Sequence, residues 1–395
     1  MKPSHIYWCP MIPDHWEEKR IKDIAFLQSG NSITAMDFVE DGKFPVYGGN
    51  GLRGYTNTYT NEGDYVLIGR QGALCGNINY AHGKFYASEH AVVVYPKKEE
   101  ITLWLGETLR TANLNRLSMT AAQPGLAVST LNLQFIPFPP KDERIRIAKY
   151  LDKKLSEIDH QVSLLTSKRD AYLRLKKSII NHAVTRGLNP NVKMKDSGIE
   201  WIGEVPEHWE VKRMKDIVKL MKGRTPEDLT FEEISYPYLT MDYLRNRSGK
   251  EILYPQKTAG LLKIDAGEII VLWDGANAGE FILSKEGYLG STMAVFLCDC
   301  KIVDKNYLYY LLKSVEKHSK YFANGTTIPH FDSLAIMNHQ YALPPLPEQR
   351  AIATYLDDKC AKIDTIVSNL DKQISCYGDL KRSLIDEVIT GKRAV

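Results

Sequence analysis

The chain has 395 residues, of which 51 are Lys or Arg and 48 are Asp or Glu, so its formal net charge is only +3. This balance excludes a strongly basic nucleic-acid coat and an acidic disordered tail. With 44% hydrophobic and 25% charged residues, the composition is that of an ordinary folded protein, and the length predicts about two or three domains.

Cysteine usage and hydropathy place the chain in a broad class. The six cysteines lack the paired spacing of a disulfide framework or a structural zinc site. We interpret Cys298-Asp-Cys300 as a strand end rather than a pair of metal ligands. The apolar runs Ile269–Trp273 and Met293–Cys298 are shorter than the roughly 20 residues that span a bilayer, and Met1–Pro13 lacks the apolar stretch of a signal peptide. These features predict a reduced, soluble, cytoplasmic protein.

The first recognisable element in chain order is Ser4–Ile24, which returns as Ser197–Ile217. The two copies lie 193 residues apart and keep in register both Trp, a Pro, His-Trp-Glu, Lys-Arg and Lys-Asp-Ile. We call these two stretches the anchor segments. Large aromatic side chains are core residues more often than sites. We therefore expect Trp8 and Trp16 to fix the first globule to the helix ends, and Trp201 and Trp209 to fix the second.

A buried strand and its following loop form the next repeated element. Gly63–Gly76 has a weaker counterpart in Gly267–Gly279, and the apolar run inside each copy predicts a strand. Ser88–Ala91 aligns with Ser291–Ala294. The remainder of each copy has diverged, so each repeat is a variable globule between similar ends.

A long amphipathic helix follows each Pro-Pro pair. Mostly apolar residues, with Arg169 as an exception, recur at spacings of three and four from Ala148 to Ile179 and again from Ala353 to Leu384, apart from one doubled step. This pattern is typical of a coiled-coil seam. A helix of about 40 residues spans roughly 60 Å at 1.5 Å per residue. The first helix would carry the chain from one globule to the other, and the second must run back antiparallel to bury its seam.

The predicted fold class is α+β, with two mixed α/β domains at opposite ends of a long antiparallel two-helix coiled coil. The cyclic order of the repeat predicts a pseudo-two-fold axis between the helices, with the C-terminus near the N-terminus. The predicted boundaries are 1–140 for the first domain, 141–200 for the central helical region and linker, 201–345 for the second domain and 346–395 for the distal helix.

Three stretches carry a resemblance to a known family. They are Ile199–Trp209, the run Pro344–Arg350 leading into Ile352–Asp357, and the terminal Val388–Lys392. In sequence and order they resemble the DNA-specificity (S) subunits of type I restriction-modification systems, and the likeness covers essentially the whole chain.

The resemblance implies a non-catalytic subunit that reads a bipartite target in double-stranded DNA. Each globule would be a target-recognition domain for one half-site, and the helices would set the spacer. The family's conserved regions hold two modification subunits, which methylate adenine N6 with S-adenosylmethionine. Separate restriction (motor) subunits use ATP and Mg. No catalytic residue, cofactor or metal is therefore expected in this chain.

Two rival functions remain open, a stand-alone DNA enzyme and a duplicated protein-binding scaffold without DNA affinity. Against the enzyme, the sequence has no G-x-x-x-x-G-K-[ST] phosphate loop and no Asn-Pro-Pro-Tyr methyltransferase motif. Gly49–Gly54 matches G-x-G-x-x-G, but Tyr55–Tyr59 follows where that fingerprint requires a helix.

Charge is unevenly distributed along the chain. Residues 141–200 hold 14 basic and 8 acidic side chains, whereas residues 1–140 hold 12 and 13 and residues 201–345 hold 17 and 19. Phosphate binding depends on Lys and Arg. We therefore expect much of the DNA affinity to come from partner subunits.

Candidate base-reading residues are polar side chains on loops, because Arg or Lys suits guanine, Asn or Gln adenine, and Asp or Glu cytosine. In the first domain they lie on a Gly-rich turn, after the buried strand, before a later strand and before the helix. These candidates are Gly49, Asn50, Arg53, Tyr55, Arg70, Gln71, Ser88, His90 and Gln123.

The second domain offers a larger set at corresponding places: Thr240, Asp242, Arg245, Trp273, Asp274, Asn277, Ser291, Thr292, Gly325, Thr326, Thr327 and His330. Structural alternatives stay open for several candidates. The Gly-rich turn can be a plain turn, Ser88 and His90 can end a strand in the core, and His330 can be a solvated turn residue.

Overall fold

The computed structural model describes residues 1–72, 74–97, 101–118, 125–246, 251–275, 277–321 and 330–395. Its contacts divide the chain into two compact units. Unit 1 comprises Met1–Thr166 and Asp371–Val395, and unit 2 comprises Ser167–Leu370. Each unit therefore contains one variable globule, part of the first long helix and part of the second. No helix in the described ranges is long and apolar enough to cross a membrane.

Strands and helices are numbered in chain order. Up to the end of the first long helix they are β1 (Lys2–Ile6), β2 (Cys9–Ile12), β3 (Glu17–Arg20), α1 (Ile21–Ile24), β4 (Ala25–Ser29), β5 (Phe44–Gly48), β6 (Gly51–Thr56), β7 (Asn61–Glu62), β8 (Tyr65–Gly69), β9 (Ile78–Ala81), β10 (Lys84–Ala87), β11 (Ala91–Pro96), α2 (Thr102–Thr111), α3 (Val128–Asn132), β12 (Phe135–Phe138) and α4 (Lys141–Arg186).

The second half follows α4 and ends with the second long helix. Its elements are β13 (Met194–Asp196), β14 (Glu204–Pro206), β15 (Glu210–Arg213), β16 (Val218–Lys222), β17 (Leu229–Thr230), β18 (Tyr238–Leu239), α5 (Met241–Leu244), β19 (Tyr254–Pro255), β20 (Lys263–Ile264), β21 (Ile269–Leu272), β22 (Phe281–Leu283), β23 (Gly287–Leu289), β24 (Met293–Cys298), α6 (Lys305–Tyr321), α7 (Ser333–Asn338), β25 (Gln340–Leu343) and α8 (Leu346–Ile389).

The larger sheet has the same topology in both halves. An antiparallel four-stranded sheet runs β4-β11-β8-β9 in unit 1 and β16-β24-β21-β22 in unit 2. A smaller sheet lies beside it, β6-β5-β10-β7 in unit 1 and β18-β23-β20 in unit 2. Each smaller sheet contains one parallel pair, β5 with β10 and β18 with β23. The predicted internal repeat and mixed α/β domains are confirmed.

Strands β8 and β21, inside the larger sheets, are buried on both faces, which explains their continuous apolar sequences. Successive side chains of a strand point to opposite faces. In unit 1, Val66 and Ile68 pack into the large core that includes α2, whereas Leu67 packs with the smaller sheet. In unit 2, Ile269 faces the large core and Ile270 the smaller one. A polar residue in either strand would be costly to bury.

The strand register corrects one correspondence drawn from the sequence. Ala91 pairs with Gly69 on β8, and Met293 pairs with Leu272 on β21. Gly69 and Leu272 occupy equivalent places, because each amide donates across the hairpin to the residue eight positions later. Ser88 therefore corresponds to Gly290, not to Ser291. The matching Ser and Ala letters misled the sequence alignment, whereas backbone hydrogen bonds fix the register.

The start of α4 and the end of α8 meet beneath Trp16 in unit 1. Trp16 is buried, and neighbouring His15 Nε2 lies 2.9 Å from Glu143 Oε2 in the first turn of α4. Gly391, just past α8, has φ +72°, and a Cβ there would lie 2.5 Å from the ring of Pro13. Glycine ends the helix here because it takes the left-handed conformation and leaves room for the anchor segment.

Unit 2 repeats this junction with the helices exchanged. His208 Nε2 lies 2.7 Å from Glu348 Oε2 in the first turn of α8, and Trp209 Nε1 donates to the same oxygen at 3.2 Å. Gly187 ends α4 with φ +74°, and its added Cβ would lie 3.3 Å from Trp209. The predicted structural role of the anchor segments is confirmed for Trp16 and Trp209, while Trp8 and Trp201 are partly buried against the two cores.

The long helices run antiparallel within each unit. Lys381 Nζ lies 2.7 Å from Asp159 Oδ1 in unit 1, and Lys176 Nζ lies 2.7 Å from Asp364 Oδ2 in unit 2. Each pair is the counterpart of the other, 205 residues along the chain. Because the carboxylates are more than half exposed, each pair contributes only about 0–1 kcal/mol. Their importance lies in the register that they select between the helices.

Replacing Trp209 with Ala should destabilise unit 2. The substitution empties a fully buried site and removes the indole donor to Glu348, at a cost of about 3–5 kcal/mol. Guanidinium unfolding followed by far-UV circular dichroism measures the loss. Phe231→Ala is the control, because that ring is 64% exposed and its removal should change stability by less than about 0.5 kcal/mol. Equal stability of the two variants would contradict the stabilising role of Trp209.

The Cys9 thiol should resist modification in the folded protein. Burial raises the pKa of Cys9 from 9.0 to about 11, which lowers its reactive thiolate fraction at pH 8. Exposed Cys376 is the internal comparison. A disulfide reagent should label Cys376 first and Cys9 only after unfolding. Because the folded state disfavours the thiolate, stability present below pH 9 should be lost as pH rises through about 11. Rapid native labelling of Cys9 would contradict this packing.

Candidate nucleic-acid interface

The Gly-rich turn of unit 1 lies against the loop that follows β8. A Cβ added to Gly49 would lie 3.2 Å from the carbonyl oxygen of Gln71 and 3.3 Å from that of His90. A Cβ on Gly69 would lie 2.0 Å from the carbonyl oxygen of Gly49. Glycine is required at Gly69 by this close approach of two backbones. The structure therefore brings together loops that are separate in the sequence.

Backbone hydrogen bonds join two further segments to this place. Arg70 N donates to His90 O at 2.8 Å, and Leu126 N donates to Arg70 O at 2.9 Å. Gln71 and Gly125 form a β-bridge. We call the convergence of these four segments the unit 1 tip. A loop that is hydrogen bonded on several sides holds its side chains more rigidly than a free loop. Direct reading of bases depends on side chains held in this way.

Several polar side chains are arranged at the unit 1 tip. Arg70 Nη1 donates to Ser29 Oγ at 3.1 Å, and Asn77 Nδ2 donates to Asn50 Oδ1 at 2.9 Å. His90 Nε2 lies 3.0 Å from Glu89 Oε1. Gln71 is exposed. The tip thus presents both donors and acceptors.

Other candidates of the first domain have different surroundings. Ser88 is fully buried, and its hydroxyl is 3.4 Å from the amide of His90, so it supports the tip from below. Arg53 stacks on Phe38 at 5.5 Å and its stem crosses Gly48, beside the turn. Tyr55 is exposed further along β6. Gln123 lies outside the described residues.

Unit 2 builds the same backbone arrangement, which we call the unit 2 tip. Trp273 N donates to Thr292 O at 2.7 Å, and Phe331 N donates to Trp273 O at 2.8 Å. Asp274 and His330 form a β-bridge. These bonds reproduce those of Arg70, Gln71 and Gly125, so the tips share one frame despite their different sequences.

The side chains on that frame differ from those of unit 1. His330 Nδ1 lies 2.6 Å from Asp274 Oδ1, and Lys222 Nζ lies 3.9 Å from Asp274 Oδ2. Lys222 Nζ also sits 4.6 Å above the centre of the Trp273 ring. Ser291 Oγ hydrogen bonds Thr225 Oγ1 at 2.7 Å.

Sequence reasoning missed Ser29 and Lys222. Both end the first strand of the larger sheet, directly before Gly30 and Gly223. In both halves the strand ends directly before a glycine, and this shared pattern could have identified Ser29 and Lys222 as equivalent positions in the sequence.

Three of the remaining candidates of the second domain, Thr240, Asp242 and Arg245, lie at α5. Thr240 is the N-cap of α5 and accepts from Tyr243 N at 3.2 Å, so its hydroxyl serves the helix. Arg245 Nη2 donates to Glu280 Oε2 at 2.5 Å, and Asp242 is half-buried. Asn277 and Thr292 are exposed. Gly325, Thr326 and Thr327 lie outside the described residues.

Phenol groups beneath the unit 1 tip stay protonated at neutral pH. Burial, followed by the charges of Asp37 and Glu89, raises the pKa of Tyr86, whose hydroxyl donates to Ser32 O at 2.9 Å. Burial also raises the pKa of Tyr47.

Among the described residues, no group of three or more His, Cys, Asp and Glu is placed to hold a metal ion.

A family model described as the type I restriction modification DNA specificity domain matches residues 13–164 and again residues 206–375. The chain belongs to this family. Each match falls on one half of the repeat, and together the two matches cover most of the chain. Between the two halves of this chain, the sequence differs at the tips and is more similar in the anchor segments and at the helix starts.

Named relatives support the assignment. The chain is 38% identical over 188 residues to the type I restriction enzyme MjaVIII specificity subunit of Methanocaldococcus jannaschii, covering 47% of this chain and 43% of that protein. It is 40% identical over 141 residues to the EcoprrI specificity subunit of Escherichia coli, covering 35% of each. The matched parts therefore span less than half the length of either relative.

A solved structure has the same fold. It concerns complex assembly and conformational transition of the type I R-M system, and one of its chains matches with a TM-score of 0.70 at 15% identity. The match covers 96% of this chain and 98% of that one. At this identity the likeness concerns the fold alone.

Gly69→Ala should open the unit 1 tip. The new methyl group would overlap the carbonyl of Gly49, so the Gly-rich turn must move, at a cost of about 1–3 kcal/mol. Amide hydrogen exchange in residues 48–51 and 70–72 should accelerate. Gly125→Ala is the matched control at the same tip, because its Cβ meets nothing closer than 3.9 Å. Unchanged exchange in Gly69→Ala would contradict the close approach.

Proposed function

We propose that this chain is the DNA-specificity subunit of a type I restriction-modification complex, a non-catalytic subunit that recognises a bipartite site in double-stranded DNA. One observation carries the proposal: the two tips share a backbone frame and differ in side chains. Arg70 and Gln71 stand in unit 1 where Trp273 and Asp274 stand in unit 2. A constant frame with different donors and acceptors suits the reading of two different half-sites.

The proposed base-reading residues are the polar side chains of the two tips. Those exposed or half-exposed at the tips are Asn50, Arg70, Gln71, His90, Trp273, Asp274, Thr292 and His330. Ser88 and Thr240 act in this proposal through the positions of their neighbours, because one is buried and the other caps a helix. The recognition domains are proposed at 1–140 and 201–345.

The long helices α4 and α8 are proposed to set the unread spacer and to hold two modification subunits, with restriction subunits joining the complex. S-adenosylmethionine, ATP and Mg would act on those partners. The charge distribution supports this division, because both recognition segments carry slightly more acidic than basic residues while 141–200 carries 14 basic and 8 acidic residues. Phosphate contacts supplied by partners would complete the affinity.

Methylome sequencing tests the function directly. Cells that carry this gene with its modification subunits should methylate adenine within one split motif, and deletion of the gene should abolish that motif. Replacing residues 12–140 with the corresponding residues of another family member should change one half of the motif. A change in both halves of the motif would contradict the proposal that each domain recognises one half-site.

The rival functions give different results in the same experiment. A protein-binding scaffold would leave the methylome unaltered on deletion and would show no footprint on DNA together with its partners. A stand-alone enzyme would methylate or cleave DNA as a purified chain with S-adenosylmethionine or Mg. Either result would displace the proposed function.

A further inference from the structure

Lys222, Asp274 and His330 converge at the unit 2 tip from three separate elements. Lys222 ends β16, Asp274 follows β21, and His330 precedes α7. Asp274 lies between the other two, with Oδ1 at 2.6 Å from His330 Nδ1 and Oδ2 at 3.9 Å from Lys222 Nζ. The lysine and aspartate side chains are 42% and 26% exposed. Both can therefore be reached by a ligand.

The charges in this cluster are poorly suited to phosphate. Lys222 carries a positive charge and Asp274 a negative one less than 4 Å away, so the field of the lysine is largely cancelled at a distance. Binding to the DNA backbone favours uncompensated Lys and Arg. A base-pair edge is different, because it presents donors and acceptors side by side. In the major groove guanine offers the acceptors O6 and N7, and cytosine offers its N4 amino group as donor.

We propose that Lys222 and Asp274 together read one G·C base pair in the half-site bound by unit 2. Lys222 Nζ donates to guanine O6 or N7, and the Asp274 carboxylate accepts from cytosine N4. The two groups lie close enough to address the two bases of one pair. The inference rests on the proposed function, because it specifies how one of its two recognition sites discriminates.

Besides any base contact of their own, His330 and Trp273 position the two reading groups in this arrangement. Contact with His330 engages Oδ1 of Asp274 and leaves Oδ2 on the side of Lys222. The Trp273 ring, with Lys222 Nζ 4.6 Å from its centre, restricts where the ammonium group can go. A flexible lysine held on two sides loses less conformational entropy on binding than a free one.

The equivalent positions of unit 1 hold different chemistry. Ser29 stands in the place of Lys222, Gln71 in the place of Asp274 and Gly125 in the place of His330. The cation there is Arg70, which bonds Ser29. No carboxylate occupies these three positions, so the Lys–Asp reading of a G·C pair belongs to unit 2 alone. Its loss should leave the other half-site unaffected.

The test uses the whole chain assembled with its modification subunits. The variants are Lys222→Met, Lys222→Arg and Asp274→Ala, and Lys219→Met is the matched control. Lys219 is exposed on the same strand, and residues three apart in a strand point to opposite faces. Thermal unfolding and co-purification with the partners identify any variant that fails to fold or assemble.

The wild-type motif should contain a G·C pair in one half-site at which discrimination depends on this cluster. Lys222→Met and Asp274→Ala should relax that same position in the methylome and lower the binding preference for G·C there on the order of 10- to 100-fold. Lys222→Arg keeps the donors and should keep the preference for guanine. Lys219→Met should give the wild-type motif.

Other results would overturn the inference. If Lys222→Met weakens binding to all sequences equally and lowers the slope of log affinity against log salt by about one, Lys222 contacts phosphate instead. An unchanged motif in Lys222→Met would mean that it reads no base. Absence of any split motif in the wild-type complex would reject the proposed function itself, which the wild-type measurement distinguishes from failure of this cluster.

Discussion

The junction beneath a buried tryptophan is the constraint on which the rest of each unit depends. Trp16 and Trp209 each lie where one long helix begins and the other ends. A helix start leaves backbone amides unpaired and a helix end leaves carbonyls unpaired, so a junction that joins both must supply close packing and local partners. Gly187 and Gly391 allow the close packing, and the carboxylate of the first helical turn binds the anchor segment. The symmetric junctions explain why the anchor segments are the best-preserved part of the repeat.

The globules satisfy a second constraint, which is to keep a backbone frame while the side chains on it change. Backbone hydrogen bonds do not depend on side-chain identity, and the tips are built from such bonds. The central strand of each larger sheet is buried on both faces, so the loop that leaves it starts from a rigid base. Arg70 and Trp273 can therefore differ completely while their amides and carbonyls keep the same partners. Side chains at such sites can therefore vary without altering the fold.

Much of this architecture was predictable, because it is encoded in local patterns. The seam from Ala148 onward predicted a long helix, and the repeated anchor segments predicted two equivalent halves and a structural role for Trp. The candidate loops were also located by Gly and polar residues. Their convergence was not predictable, since it depends on strand order and on contacts such as that of Gly49 with the loop after β8. Lys222 was missed for the same reason, because a cation at the end of an amphipathic strand resembles solvated charge until Trp273 and Asp274 are placed beside it.

Near-neutral charge acquires a physical meaning once the tips are described. A protein that bound DNA mainly through a dense cationic surface would bind any sequence, because the phosphate backbone is the same in every sequence. In unit 2 the tip cation is offset by a carboxylate, and in unit 1 the tip cation is bonded to a serine hydroxyl. The Lys–Asp pair of unit 2 has little to gain from phosphate and matches a base edge that presents both a donor and an acceptor, whereas the guanidinium of Arg70 keeps its full charge beside a neutral hydroxyl. Under the proposed function, specificity is separated from affinity, and a low net charge is the composition expected of a subunit that discriminates between sequences while partner subunits supply phosphate contacts.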